Sequence, residues 1–233
     1  MSDVSAVARE EEGGSHGRLM DRVYRRQRHF YDLTRRYYLL GRDRLIENLS
    51  PPPGATVLEV GCGTGRNLVH AARLHGQAEF FGIDISREML ASACRAARRG
   101  GFGDAIHLAV GDATRFHPYA VFGLSRFDRI FMSYTLSMIP DWQAALAQAA
   151  CNLAPGGSLH IVDFGQQERL PRWCRTLLQA WLARFHVTPR RDLDRALRVL
   201  AEKLGADLEF RRLYRGYTWY AVLRLPAAKP ARL

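Results

Sequence analysis

The chain has 233 residues, with 34 Lys and Arg against 23 Asp and Glu for a net charge of +11, and it is 47% hydrophobic and 10% aromatic. That length suits one α/β domain with a sizeable core, and the hydrophobic fraction excludes a largely disordered or fibrous chain. No apolar run approaches the roughly 18 uninterrupted residues that a bilayer-crossing helix requires, so any membrane contact is expected from the side.

Cys62, Cys94, Cys151 and Cys174 are scattered, without a C-x-x-C pair or a His at zinc-ligand spacing. Neither a disulfide framework nor a structural metal is expected from them. Residues 1–17 carry Asp3, Glu10, Glu11 and Glu12 among Gly and Ser, the opposite of a basic, apolar secretory start, and read as the flexible tail of a cytoplasmic protein. Charge is uneven: residues 1–44 carry +3, residues 45–165 carry −1 and residues 166–233 carry +9. Basic flanks around a neutral middle suit an anionic partner, either nucleic acid or an anionic lipid surface. Genomic base composition explains why 32 of the 34 basic residues are Arg, but not why the excess avoids the middle.

Taken in order, Arg18–Leu49 reads as one or two helices, with Val23, Phe30, Leu33, Tyr37 and Leu40 at helical spacing, ended by Ser50-Pro51-Pro52-Pro53-Gly54. Thr56–Val60 is a strand running into Gly61-Cys62-Gly63-Thr64-Gly65 and a helix to His75. Strands then follow at Glu79–Asp84, Ile106–Val110, Phe127–Met132 and Ser158–Asp163, the last entered through a turn at Pro155-Gly156-Gly157. Helices are expected at Arg87–Arg98 and Trp142–Leu153. Apolar strands alternating with helices give a parallel sheet with helices on both faces. Two further helices, Leu170–His186 and Asp192–Leu204, precede strands at Asp207–Tyr214 and Tyr217–Leu225. Arg215-Gly216 between them predicts an antiparallel hairpin that finishes the sheet. The organisation expected is a tail (1–17), an N-terminal helical cap (18–50), a nucleotide-binding core (51–165), the helices and hairpin that complete the same domain (166–225), and a second tail (226–233).

The glycine loop decides the ligand class. G-x-G-x-x-G would need glycine at position 66, where Arg66 stands, and no Gly-Lys-Ser or Gly-Lys-Thr follows. The pattern is instead Glu59-x-Gly61-x-Gly63-x-Gly65, and VLEVGCGTG resembles the first motif of the class I S-adenosylmethionine-dependent methyltransferases. That resemblance spans about residues 54–165 and implies a Rossmann-like seven-stranded sheet with S-adenosylmethionine as methyl donor and no metal. Glu59, Gly61, Cys62, Gly63, Gly65 and Asn67 would then surround the donor, the glycines removing Cβ obstruction. Asp84, 19 residues beyond Gly65, would accept both ribose hydroxyls. Ile85 and Met89 would border the adenine, Gly111-Asp112-Ala113 would meet its amino group, and Ser133-Tyr134 would lie at the methionine end. Asp112 can equally serve its own turn, and Met89 can equally be core.

The acceptor has to be read from the flanks. YRRQRHFYDLTRRYYLLGRDRLI, Tyr24–Ile46, resembles the N-terminus of the N-methyltransferases of bacterial betaine-lipid synthesis, which convert diacylglyceryl-homoserine to its trimethylated form. The resemblance implies a lipid acceptor at the cytoplasmic membrane surface, with peripheral association through anionic lipids and no nucleic-acid partner. Tyr24, Tyr31, Tyr37, Tyr38 and Tyr134 are candidates to surround the methylated nitrogen, since a tyrosine face stabilises a cation by roughly 0.5–2 kcal/mol. Arg42 is the candidate for the acceptor carboxylate, and His29 is either a proton acceptor or a surface residue. Leu170, Trp173, Leu177, Leu178, Trp181, Leu182 and Phe185 form a wide apolar helix face, suited to a bilayer interface or to packing on the sheet. Alternative acceptors are phosphatidylethanolamine nitrogen and the carbon of a quinone precursor. RNA is disfavoured, because Ser133-Tyr134-Thr135 lacks the Asn/Asp-Pro-Pro-aromatic pattern used on nucleobase amines.

Overall fold

The computed structural model describes residues 39–184 and 187–228. Tyr24, His29, Tyr31, Tyr37, Tyr38 and Phe185 lie outside them, as do residues 1–17 and most of the expected N-terminal helices. The elements in order are α1 (Arg42–Glu47), β1 (Thr56–Val60), α2 (Arg66–Leu74), β2 (Glu79–Asp84), α3 (Arg87–Arg99), β3 (Ile106–Val110), α4 (Pro118–Phe122), β4 (Phe127–Ser133), α5 (Trp142–Cys151), β5 (Leu153–Phe164), α6 (Arg172–Arg184), α7 (Leu193–Leu204), β6 (Asp207–Leu213), a 3-10 turn (Tyr214–Gly216) and β7 (Thr218–Arg224).

These strands form one seven-stranded sheet in the order β3-β2-β1-β4-β5-β7-β6. β7 runs antiparallel to both neighbours, and the other pairings are parallel. The expected mixed sheet, closed by a C-terminal hairpin, is therefore what forms. Alternate residues of β1 face opposite layers, with Leu58 and Val60 in one core cluster and Val57 in the other. Helices cover both: α5 and α7 supply Leu146, Ala149, Leu193 and Leu197 to the first, while α1, α2 and α6 supply Leu45, Leu68 and Leu182 to the second. Each of these leucines contributes roughly 1.5–3 kcal/mol when fully buried. Local signals agree with the packing in α3, where the Ser86 hydroxyl accepts from the Met89 amide at 3.2 Å, Glu88 sits in the first turn and Arg98 and Arg99 in the last. This is the charge order a helix dipole favours. Strand order reverses between β1 and β4, and the crevice at the carboxyl ends of these strands is where an open α/β sheet takes its ligand.

Three features depart from the sequence reading. The Pro155-Gly156-Gly157 turn does not precede β5 but lies inside it: Phe127 pairs with Leu153 and Arg129 already with Ser158. The bulge is held from across the sheet, since the Gly156 amide donates to the Pro226 carbonyl and the Leu225 amide to the Gly157 carbonyl, both at 2.9 Å. For the same reason α5 stops at Cys151 and the fully buried Leu153 begins the strand. α4 was not anticipated, although Pro118 at its start and Gly123 at its end are the residues that begin and stop a helix. Its Phe122 packs with Phe81 and Phe127 at ring separations of 5.1 and 6.2 Å, and Phe81 and Phe127 lie 5.5 Å apart. Phe127→Ala should destabilise the protein by about 3–5 kcal/mol in urea unfolding without changing the slope. A loss below about 1 kcal/mol would show that this aromatic cluster does not anchor the sheet.

Candidate active site

β1 ends against β2, and the chain must turn sharply there. The amides of Gly61 and Cys62 both donate to the Ile83 carbonyl at 2.9 Å, and the Gly63 amide donates to Oδ2 of Asp84 at 2.8 Å. Oδ1 of Asp84 accepts from the Ser86 amide at 2.9 Å, so one carboxylate joins the glycine loop to the cap of α3. Gly61 and Gly63 have φ values of 71° and 54°, a region costly for any residue with a Cβ. Their surroundings differ. A Cβ on Gly61 would collide with the methyl of Thr135, whereas a Cβ on Gly63 would meet no atom within 4 Å, because that position opens on the cavity.

The cavity measures about 1090 Å³ with its open mouth included. Its lining gathers Glu59, Gly61, Cys62, Gly63, Asn67, Asp84, Ile85, Met89, Gly111, Asp112, Ala113, Ser133 and Tyr134, and also Arg42. Of the sequence-predicted donor residues, Gly65 alone lies outside this lining; it caps α2. Three carboxylates, Glu59, Asp84 and Asp112, face the cavity and suit a ligand bearing positive charge. Glu59 is 1% exposed and accepts from Nδ2 of Asn67 at 2.8 Å. Asp112 holds its own turn: Oδ1 accepts from the Thr114 amide and hydroxyl at 2.9 and 2.8 Å, and Oδ2 pairs with Arg115 at 3.1 Å. Both readings of Asp112 thus apply, as a turn residue that lines the cavity. Met89 is likewise both buried core and cavity wall. Burial, and then the charges of Asp84 and Glu59, push the Cys62 thiol well above its usual range, so it stays protonated and is no nucleophile.

The opposite wall is the loop after β4. Tyr134 adopts φ 55° and is 2% exposed. Its hydroxyl donates to the Leu40 carbonyl at 2.6 Å and lies 2.9 Å from Oγ1 of Thr218, and its ring packs on Phe164 at 4.6 Å. The hydroxyl therefore ties this loop to the residues that lead into α1. Burial raises its pKa well above the ordinary phenol value, which keeps it neutral. Arg42, the first residue of α1, is 7% exposed and lines the same cavity, its Nε donating to the Leu39 carbonyl at 3.2 Å.

Sequence reasoning missed the residues that brace this loop. Asp163, buried at the end of β5, accepts from the Ser137 amide at 3.1 Å and the Phe164 amide at 2.7 Å. Arg190 donates to the carbonyls of Leu136 and Ile139 at 2.9 and 2.5 Å. An acid closing an otherwise apolar strand, SLHIVD, was the available signal, the same one that marks Asp84. Burial raises Asp163 to about 6, against the hydrogen bonds and Arg190, which lower it. Among the described residues no cluster of three His, Cys, Asp or Glu is placed to hold a metal ion.

Two outcomes follow. Gly61→Ala should destabilise the fold by about 1–3 kcal/mol through overpacking and strain. Gly63→Ala should carry only the backbone cost of its positive φ, roughly 1–2 kcal/mol, yet lose ligand affinity in calorimetry, and unimpaired binding by Gly63→Ala would move the ligand off this loop. Asp163 binds its proton more tightly in the folded state, so the stability it contributes falls as pH rises from about 4 through about 6. The stability of Asp163→Asn relative to wild type should therefore gain about 2–3 kcal/mol between pH 4 and 7. A pH-independent difference would contradict the buried, strained carboxylate.

With this geometry in place, comparison with known proteins is informative. Residues 52–202 match the methyltransferase domain family. The chain is 30% identical to methyltransferase GfsG of Streptomyces halstedii over 166 residues, covering 71% of this chain and 58% of that protein. It is 30% identical to nocamycin O-methyltransferase of Saccharothrix syringae, covering 56% and 45%, and 30% identical to demethylmenaquinone methyltransferase of Bacillus licheniformis, covering 54% and 52%. The chain thus spans 58% of the first of these relatives and about half of the other two. Among solved structures, phosphoethanolamine N-methyltransferase 2 of Haemonchus contortus in complex with S-adenosyl-L-methionine superposes with a TM-score of 0.62 at 17% identity, covering 80% of this chain and 52% of that one, a likeness of fold. Family match, sheet order and an acid-walled glycine-loop cavity agree: the chain belongs to the methyltransferase domain family, and its methyl donor is S-adenosylmethionine.

Proposed function

We propose that this methyltransferase methylates the amine of a diacylglyceryl-homoserine headgroup through to the trimethylated betaine. The observation that carries the reading is Arg42: the one arginine of the Tyr24–Ile46 segment that is both described and buried stands in the wall of the donor cavity. A homoserine headgroup carries a carboxylate beside its amine, and a guanidinium pairs with a carboxylate through two parallel hydrogen bonds. The resemblance of Tyr24–Ile46 to the betaine-lipid enzymes supports the same acceptor.

S-adenosylmethionine supplies a methyl group on a sulfonium. Glu59, Asp84 and the Gly61–Gly63 backbone would hold the donor, with Asp112 and Met89 beside its adenine. Transfer is an in-line displacement, so the protein's part is to align nitrogen, methyl carbon and sulfur and to keep water out. The nitrogen attacks as a neutral amine, and each of the first two products must lose a proton before it attacks again. As positive charge passes from sulfur to nitrogen, the acidic wall continues to face a cation.

The relative that methylates demethylmenaquinone gives a second reading, a quinone-precursor carbon as acceptor. Purified protein with labelled donor, offered diacylglyceryl-homoserine, phosphatidylethanolamine, a demethylated quinone and RNA in competition, separates the readings. Label is expected in the homoserine headgroup, and preference for any other acceptor makes the assignment wrong. Asp84→Ala should weaken donor binding by about 2–4 kcal/mol. Arg42→Ala should lower kcat/KM for the acceptor by about 2–3 kcal/mol while leaving donor affinity unchanged, and Arg42→Lys should recover only part of it. Loss of donor affinity in Arg42→Ala would assign Arg42 to the donor side instead.

A further inference from the structure

An ordinary surface helix turns polar residues outward and apolar residues inward. α6 does not. Its exposed described side chains are Arg172, Trp173, Thr176, Leu177, Ala180 and Arg184, with Trp173 and Leu177 neighbours at helical spacing. Its inner face, with Leu178, Trp181 and Leu182, is already occupied by the core. Trp173 is 70% exposed and Leu177 65%, so two of the largest apolar side chains on this helix stand in solvent one turn apart.

The surroundings of the stripe are cationic. From Arg169 through Arg191 the sequence contains six arginines and no Asp or Glu. The 3-10 turn adds to the same patch. The Gln167 amide donates to the Gly216 carbonyl and the Arg169 amide to the Arg215 carbonyl, which fixes exposed Tyr214 and Arg215 beside the segment leading into α6. Tyr214 is 51% exposed, and both it and Arg215 hold positive φ. An aromatic and aliphatic stripe with arginines at its edges, where the nearest acid, Glu168, is paired with Arg212, is what an anionic bilayer surface receives, rings at headgroup depth and guanidinium groups on phosphates. A protein partner of ordinary mixed charge would leave those arginines unmatched.

We infer that α6 and the adjoining turn Tyr214–Gly216 seat on an anionic lipid surface and deliver the acceptor headgroup to the cavity rim. The delivery half of this inference rests on the reading that the acceptor is a lipid; the docking half stands on the surface alone. The link to the rim runs through the C-terminal end of the same helix. Just beyond α6 the Thr188 amide donates to the Ser137 carbonyl at 3.0 Å, and Arg190 holds the carbonyls of Leu136 and Ile139. Thr135, Met138 and Ile139 of that same loop line the cavity. The helix proposed to seat on the bilayer and the cavity rim thus share one braced loop.

Co-sedimentation of the full chain with phosphatidylcholine vesicles, with and without phosphatidylglycerol, tests the docking. Binding is expected to require the anionic lipid and to be released by salt, since the attraction is screened over roughly 8 Å at physiological ionic strength. Trp173→Ala with Leu177→Ala should weaken it on the order of tenfold or more while preserving methylation of a homoserine headgroup analogue lacking acyl chains. Equal binding to neutral and anionic vesicles, or undiminished binding by the double variant, overturns the inference. So does an absence of vesicle binding combined with a dimer that the double variant converts to monomer, which would make this face a contact between copies of the chain. Failure to bind vesicles with the chain-free analogue still methylated sinks the docking and spares the proposed function. Binding to vesicles with no methylation of diacylglyceryl-homoserine in them does the reverse.

Discussion

Two amides on one carbonyl and a third on one carboxylate set the geometry of this protein's cavity. The loop after β1 has to leave the plane of a fully buried parallel sheet within three residues. It does so by spending the Ile83 carbonyl on both Gly61 and Cys62 and the Asp84 side chain on Gly63. β2 thus acts as a template for the loop. The Asp84 carbonyl in turn accepts from the Gly111 amide at 3.1 Å, so three consecutive strand ends are locked to one another at the topological switch point. The cavity wall from Glu59 to Asp112 inherits its position from that junction. The carboxylate that organises the loop also lines the cavity.

The other half of the cavity is built differently, from a loop whose shape is imposed rather than preferred. Tyr134 sits at positive φ, a conformation an L-residue with a large side chain resists. The surrounding bonds hold it there: its own hydroxyl to Leu40, Asp163 on the Ser137 amide, and Arg190 on Leu136 and Ile139. Burying Asp163 is costly, as its elevated proton affinity records. Bonds from this loop also reach outward to the residues before α1 through Leu40 and to the segment after α6 through Thr188, so both are anchored to one loop.

What could be read from the sequence was whatever short-range chemistry decides. β1, β2 and β4 are buried on both faces and read as apolar runs; Ser86 announces α3; and the Glu59-x-Gly61-x-Gly63-x-Gly65 pattern carries the resemblance to a methyltransferase donor loop, its three glycines all standing at positive φ. Contacts between distant residues were not legible. Pro155-Gly156-Gly157 looks like a turn from its own composition, and it is strand only because residues 225 and 226 bond to it. Asp163 has a signal as the acid closing an apolar strand, but its partners do not: Arg190 becomes significant only when β5 and the segment before α7 converge on residues 134–139. Tyr134 was expected to face the ligand, but its hydroxyl is turned to Leu40. The tyrosines of the Tyr24–Ile46 segment lie outside the described residues, and their part in the reaction rests on the resemblance.

Hydrogen–deuterium exchange with and without S-adenosylmethionine addresses the junction directly, because it reports amide by amide on the segments that meet there. Slower exchange on donor addition, concentrated in residues 61–67, 84–90 and 111–113 and absent from Asp84→Ala at the same donor concentration, is the expected result. Protection confined to other segments, or protection of 61–67 that survives Asp84→Ala unchanged, would contradict a cavity organised by the Asp84 carboxylate.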